Sequence, residues 1–278
     1  MSNTLIIDTS FGSTVGIVGH EPIVETDSRT HVERLQVNIA KVVEAAGLQP
    51  SDINRVVVGV GPAPFTGLRA GLVAAKAIAF AKNAQILGCD SLLPQSLMMR
   101  SGAFEEAIKN GVIEKDLLLN IPDPVDYVDS CDSNIRHYVL SLNDARRRQV
   151  YMSLYDDEGN ALINMDIDYP QNVVTRVNEY LASETSENYC VDVLGHGAKK
   201  YVEDWRNIAH VGVIAEVSAL DLGVQGLQIF EQCSLECANK DEHVKAVEPL
   251  YLRRPDVSVP NPLKHVLGSG EANKAKEK

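Results

Sequence analysis

Apolar and polar positions along the first hundred residues alternate between two periods. Leu5–Asp8, Thr14–Val18 and Ile23–Thr26 are short apolar runs, separated by Gly12, Gly16, Gly19 and Pro22, and they predict three strands joined by turns. From Glu33 to Ala46 the apolar residues Leu35, Ile39, Val42, Val43 and Ala46 fall on one face of a helix, and Gly47 follows as its stop. Val56–Val60 is an apolar, β-branched run too short for a helix, so it predicts a strand covered on both faces. A Gly/Pro loop then leads into a second helix that ends near Lys82.

A comparable series comes later. Strands are expected at His137–Leu142, Gln149–Tyr155 and Leu162–Tyr169, a helix at Asn172–Ser183 and a strand at Cys190–Leu194. The order of elements implies a duplicated α/β architecture, although no direct sequence repeat accompanies it. The resulting expectation is an N-terminal subdomain over 1–100 and a second over 101–212 that includes an acidic insertion at 103–134. A helical return segment at 213–252 and a mobile tail at 253–278 complete it. The insertion is irregular after a short helical start. The tail carries six Lys/Arg against three acids and is rich in Pro and Gly.

The helix ending at Lys82 breaks the amphipathic rule. From Ala70 to Ala81 every residue is apolar or Gly except Lys76, so more than one side must be covered. The sheet covers one side; the neighbouring helix, a partner chain, or both cover the rest. The preceding loop, GVGPAPFTGLRAG over Gly59–Gly71, places Gly61 at a tight turn and Thr66 as a helix cap. A glycine loop entering a helix is a generic anion cradle. This one lacks both the lysine of a P-loop and the third glycine of a dinucleotide fingerprint, so a simple strand-to-helix turn is favoured.

Charge narrows the function. The 278 residues carry a formal net charge of −12, with 45% hydrophobic and 23% charged residues, as in an ordinary globular chain. Such an acidic chain is not expected to hold RNA by itself, because that affinity comes mainly from Lys and Arg on phosphates. No basic leader precedes the first apolar run, and no stretch reaches the roughly 20 apolar residues of a membrane span. Five scattered cysteines, Cys89, Cys131, Cys190, Cys233 and Cys237, predict reduced thiols and a cytoplasmic location.

Catalytic constellations are not evident. No two of the seven histidines lie four apart, and there is no G-x-S-x-G elbow. Cys233 and Cys237 read as core positions of a C-terminal helix. The acids Asp123, Asp126, Asp129 and Asp132 recur every three residues, unlike a calcium loop. Arg146, Arg147 and Arg148 form the sharpest basic cluster, to be read as pairing with local acids or touching an RNA phosphate.

Several motifs together resemble one family. LIIDTS at Leu5–Ser10, HVERL from His31, GVGPAPFTGLRAG, DARRRQVY at Asp144–Tyr151, LGHGA at Leu194–Ala198 and PLYLRRP at Pro249–Pro255 occur in the order of the TsaB family, also described as glycoprotease-like. The resemblance implies a duplicated actin-like fold of the actin, sugar kinase and Hsp70 superfamily, without catalytic residues, metal or cofactor. It implies a scaffold that pairs with the catalytic paralogue TsaD and works with the ATPase TsaE on threonylcarbamoyladenosine beside the tRNA anticodon. The chain would form a homodimer when alone and meet tRNA only through the complex.

The partner surface implied by the resemblance is the two N-terminal helices. It takes Arg34, Leu35 and Asn38 on the first, and Phe65 and Arg69 at the start of the second. Leu72, Val73, Ala74, Ala75 and Lys76 follow along its body, with Ala74 and Ala75 read as facing outward. A vestigial nucleotide site would use Asp8, Thr9, Gly61, Thr66, Gly195 and Gly197. Asp8 has a second reading, as the acceptor of an Asx turn over Ser10–Gly12, and this is favoured. Ala63 and Pro64 depart from the family's usual Gly-Ser and weaken the phosphate reading. The alternatives are an actin-like phosphotransferase or a glycoprotease-type hydrolase acting alone.

Overall fold

In the computed structural model, residues 2–26, 31–121, 135–183, 189–240 and 247–253 are described. The acidic positions 123–132 and the tail from residue 254 lie outside them.

The first half builds a five-stranded sheet. Strands β1 (Thr4–Asp8), β2 (Ser13–Ile17) and β3 (Ile23–Glu25) form an antiparallel meander, and β4 (Arg55–Gly61) and β5 (Gln85–Asp90) add to β1 in parallel. The order is β3-β2-β1-β4-β5. Helix α1 (His31–Ala45) lies between β3 and β4, and α2 (Phe65–Lys82) between β4 and β5. Leu35, Ile39, Val42 and Val43 of α1 are all buried, as the helical spacing requires. Gly47, at φ +69°, ends α1 with the paired bonds Gly47 N–H to Glu44 O and Leu48 N–H to Val43 O, a Schellman motif.

The second half repeats the plan. Strands β6 (Arg136–Asp144), β7 (Val150–Tyr155) and β8 (Ala161–Asp168) form the meander, with β9 (Tyr189–His196) and β10 (Val211–Ala215) parallel to β6. The order β10-β9-β6-β7-β8 is the first sheet's order with its elements renumbered. Helix α5 (Pro170–Ala182) corresponds to α1 and the short α6 (Val202–Trp205) to α2. The duplication expected from the order of elements is therefore present.

Layering follows from burial on both faces of each sheet. Leu5, Ile7, Val56 and Val58 point to the α1/α2 side, while Ile6, Val57 and Cys89 point to a central layer. That layer holds α3 (Leu93–Arg100), α4 (Ala103–Lys109) and the C-terminal helix α7 (Val224–Lys240), and it also receives Val139, Leu194 and Val213 from the second sheet. On that sheet's far side, Tyr138, Leu140, Met152 and Leu154 pack against Val173, Val177 and Leu181 of α5. Cys233 sits in the central layer with 1% exposure, the core position expected of it. Among the described residues no helix is long and apolar enough to cross a membrane.

Two local expectations need correction. Thr66 does not cap α2; the helix already starts at Phe65, after an extended Pro64, and Thr66 is exposed. The strands β5 and β10 were not expected. Both are short and carry a glycine, and neither shows a clean alternation of apolar and polar residues.

Candidate functional site

The cleft between the two halves opens where the strand ends β1 and β9 face each other. Asp8 closes β1 with 6% exposure. Its Oδ1 accepts the Ser10 N–H (2.9 Å) and the Ser91 hydroxyl (3.3 Å), and its Oδ2 accepts the Ser10 hydroxyl (2.8 Å). This is the Asx turn expected as the alternative to a nucleotide-binding role. Gly59 in β4 makes room for it, since a Cβ there would lie 2.3 Å from Asp8 Oδ1. Burial pushes the Asp8 carboxyl above its ordinary range, against the pull of those hydrogen bonds.

Across the cleft, the LGHGA turn follows β9. Gly195 and Gly197 adopt φ of +119° and +135°, and a Cβ on Gly195 would meet Leu142 O at 2.1 Å, so only glycine fits there. The Gly197 N–H donates to both oxygens of Glu216 at 3.1 and 3.2 Å, and the Lys199 N–H donates to Glu216 Oε2. A carboxylate of the chain itself thus occupies the backbone donors that a phosphate would use.

Between these walls Phe11 stacks on His196, ring centroids 3.9 Å apart and 11° from parallel. The cavity left between the halves is ≈ 40 Å³, room for roughly three waters and far below the several hundred Å³ of a ligand pocket. Of the six residues assigned to a vestigial nucleotide site, Asp8 lines this cavity, and Gly195 and Gly197 flank His196, which also lines it. Thr9 is buried against α2, where Gly71 lets the backbone approach: a Cβ on Gly71 would lie 2.5 Å from Thr9 Oγ1. Gly61 accepts the Ser91 N–H through its carbonyl, and Thr66 points to solvent.

The α1/α2 face is differently organised. Leu35, Asn38, Leu72 and Ala75 are buried within the chain, at 2%, 6%, 4% and 0% exposure. They support the face without forming it, and Ala75 does not face outward as expected, because it lies on the α2 side that meets the sheet. Arg34 is exposed and pairs with Glu25 at 2.9 Å. Phe65 and Arg69 engage the chain's own C-terminal segment: Arg69 Nε donates to the Tyr251 hydroxyl (2.8 Å), and Phe65 packs on the Tyr251 ring. Residues 249–253 of the PLYLRRP motif are thereby explained, as a strap whose Leu250 N–H also bonds Val60 O at 2.8 Å. Ala74 is half-buried, and Val73 and Lys76 are exposed.

On α1 and α2, two exposed apolar side chains are not singled out by the sequence reading. Phe80 is 91% exposed and Val37, on α1, 54%. With Val73 at 67%, Phe80 continues one stripe of α2 at helical spacing. A uniformly apolar run carries no signal of which residues face out, so the spacing alone did not single out Phe80. Arg146, Arg147 and Arg148 form the β6–β7 turn, exposed and all in the left-handed region at φ 62°, 51° and 63°.

Comparison with known proteins agrees with this picture. Residues 18–105 match the family described as "TsaD: tRNA N6-adenosine threonylcarbamoyltransferase". An uncharacterized protein of Mycobacterium tuberculosis is 40% identical over 99 residues, 33% of this chain and 47% of that protein. The tRNA threonylcarbamoyladenosine biosynthesis protein TsaB of Escherichia coli is 25% identical over 134 residues, 48% of this chain and 45% of that one. The chain thus spans about half the length of these curated relatives. The solved structure of YeaZ from Pseudomonas aeruginosa superposes with a TM-score of 0.58 at 19% identity, covering 91% of this chain and 100% of that one. The chain is thus similar to the threonylcarbamoyltransferase family over residues 18–105 and to the TsaB relative over about half its length, and it shares the α/β fold of the solved structure.

Proposed function

We propose that this chain is a non-catalytic subunit of the machinery that forms threonylcarbamoyladenosine in tRNA, and that it pairs with a TsaD-type catalytic paralogue through α1 and α2. The observation that carries the reading is the exposed apolar stripe of Val73 and Phe80 on α2, together with exposed Val37 on α1. A Phe left 91% exposed on an Ala-rich helix marks a surface that another chain covers. The inter-half cleft supports the same reading, because Glu216, Phe11 and His196 fill the space that nucleotide chemistry would need. The ATPase TsaE and the tRNA would meet this chain only within the complex, and a homodimer would use the same face when the paralogue is missing.

The test is size-exclusion chromatography of the full chain mixed with a TsaD-type paralogue, repeated with Phe80→Glu and Val73→Glu. Wild type is expected to co-elute, and the variants to remain folded and elute apart. Folded variants that pair like wild type would refute the assignment of this face.

A further inference from the structure

On the second sheet, β6 and β9 run parallel with His137 beside Cys190 and Val139 beside Asp192. Residues in register, and residues two apart on one strand, share a face, so His137, Cys190 and Asp192 project together. His137 Nδ1 lies 2.6 Å from Asp192 Oδ2 and 3.3 Å from Cys190 Sγ, and the three donor atoms lie within 4.8 Å of one another. The adjacent strand leaves them room. A Cβ on Gly212 would sit 2.3 Å from Asp192 Oδ1 and 3.2 Å from Cys190 Sγ. The Asp192 side chain is fully buried, and its Oδ1 accepts the Val213 N–H at 2.8 Å, which fixes the direction of Oδ2.

An independent feature points to a cation here. His137 borders a cavity of ≈ 440 Å³ that is also lined by the acids Glu105, Asp156 and Asp157, by Ser96, and by Arg100 and Arg136. Glu105 Oε2 is buried and has no hydrogen-bond partner among the described residues. A buried carboxylate oxygen without a donor is costly unless something positive meets it.

From this juxtaposition we propose that His137, Cys190 and Asp192 form a binding site for a zinc-type divalent metal ion, with the fourth coordination position turned toward the cavity and Glu105. The donor set of one imidazole nitrogen, one thiolate sulfur and one carboxylate oxygen suits a borderline-soft tetrahedral ion and not the all-oxygen shells of magnesium or calcium. Zinc bonds of about 2.0 Å to nitrogen and about 2.3 Å to sulfur put tetrahedral neighbours roughly 3.3–3.6 Å apart. The N···S distance already fits. The N···O pair must open by about 0.7 Å as the proton it shares is replaced by the ion. On binding, the Nδ1 proton and the thiol proton pass to solvent. One thiolate and one carboxylate then balance the two positive charges of the ion. The site is separate from α1, α2 and the inter-half cleft, so it stands or falls independently of the proposed pairing.

The test uses the full chain with Zn(II) under chelator competition and with Co(II) as a spectroscopic substitute. One ion per chain is expected, with the near-ultraviolet charge-transfer band of a cobalt thiolate. Cys190→Ser should abolish that band, and His137→Gln should weaken Zn(II) by more than the roughly 10- to 100-fold that loss of a supporting contact costs. Because Asp192 is buried and its variants can misfold, the wild-type chain supplies a second readout: Zn(II) should protect Cys190 from alkylation, followed by peptide mass spectrometry. Lack of stoichiometric uptake, a cobalt thiolate band that survives Cys190→Ser, or unprotected Cys190 would each overturn the site.

Discussion

Phe11, in the turn after the first strand, lies flat against His196, at the end of a strand from the opposite half, and this one contact bridges the cleft. His196 Nε2 is itself 3.5 Å from Asp221 Oδ2, so the stacked ring is held from the far side as well. A nucleotide would have to part the rings and find other donors, because the Gly197 and Lys199 amides are already occupied by Glu216. Calorimetry of the full chain with Mg-ATP is expected to give no binding heat, for wild type and for Phe11→Ala alike. Binding by the alanine variant would mean that the stack alone keeps nucleotide out.

Glu216 is expected to act as an internal anion. Glu216→Ala leaves two backbone N–H groups without their acceptor, a loss of about 1–3 kcal/mol. Thermal melts should show that loss, and sulfate or formate should restore part of it by filling the vacated donors. A variant whose melting temperature ignores those anions, relative to wild type in the same salts, would show that the turn collapses instead of staying open.

The two sides of α2 should respond oppositely to charge. Ala75→Glu forces a carboxylate into the packed seam with the sheet and should cost about 3 kcal/mol or more. Val73→Glu, on the exposed side, should change stability by no more than about 0.5 kcal/mol. Denaturant melts of both variants check the pair. Equal behaviour would contradict the helix orientation described above.

Asp90 supplies a pH dependence. Burial pushes its carboxyl from the ordinary 3.8 up to about 6, although the Leu92 N–H (2.7 Å) and the Tyr155 hydroxyl (3.2 Å) both donate to it. The folded chain therefore holds a proton that the unfolded chain has released between these values. This contribution is complete below about pH 4 and is lost as pH rises through about 6. Asp90→Asn should flatten stability across that window and raise it near pH 7 by about 1–3 kcal/mol. Urea titrations at several pH values test this, and an unchanged pH profile would exclude Asp90 as its source.

Much of the scaffold was legible because it rests on local periodicity. The α1 spacing from Leu35 to Val43 and the β-branched run of β4 each declare their element without knowledge of the rest. What was illegible depends on distance or on uniformity. Phe11 meets His196 and Gly197 meets Glu216 only after both sheets have formed. Within α2, a nearly unbroken apolar composition hides which side is covered, so the sequence does not separate buried Ala75 from exposed Phe80. Asp8 was legible because an Asx turn needs only the two residues that follow it.

Helix α7 lies in the central layer, yet Arg55 Nη1, on β4, pairs with Glu231 at 2.9 Å, and Thr4 reaches the same carboxylate. Synthesis therefore delivers the first sheet long before the helix that covers its inner face. Until residue 240 has been made, Ile6, Val57 and Cys89 lack part of their packing, so the N-terminal half is not a self-sufficient folding unit. Closing a loop of more than 200 residues is entropically only modestly worse than closing a short one, but it comes late. A chain cut after the first sheet is left with a water-facing apolar surface, and the two duplicated halves become a single cooperative body only when the last helix docks.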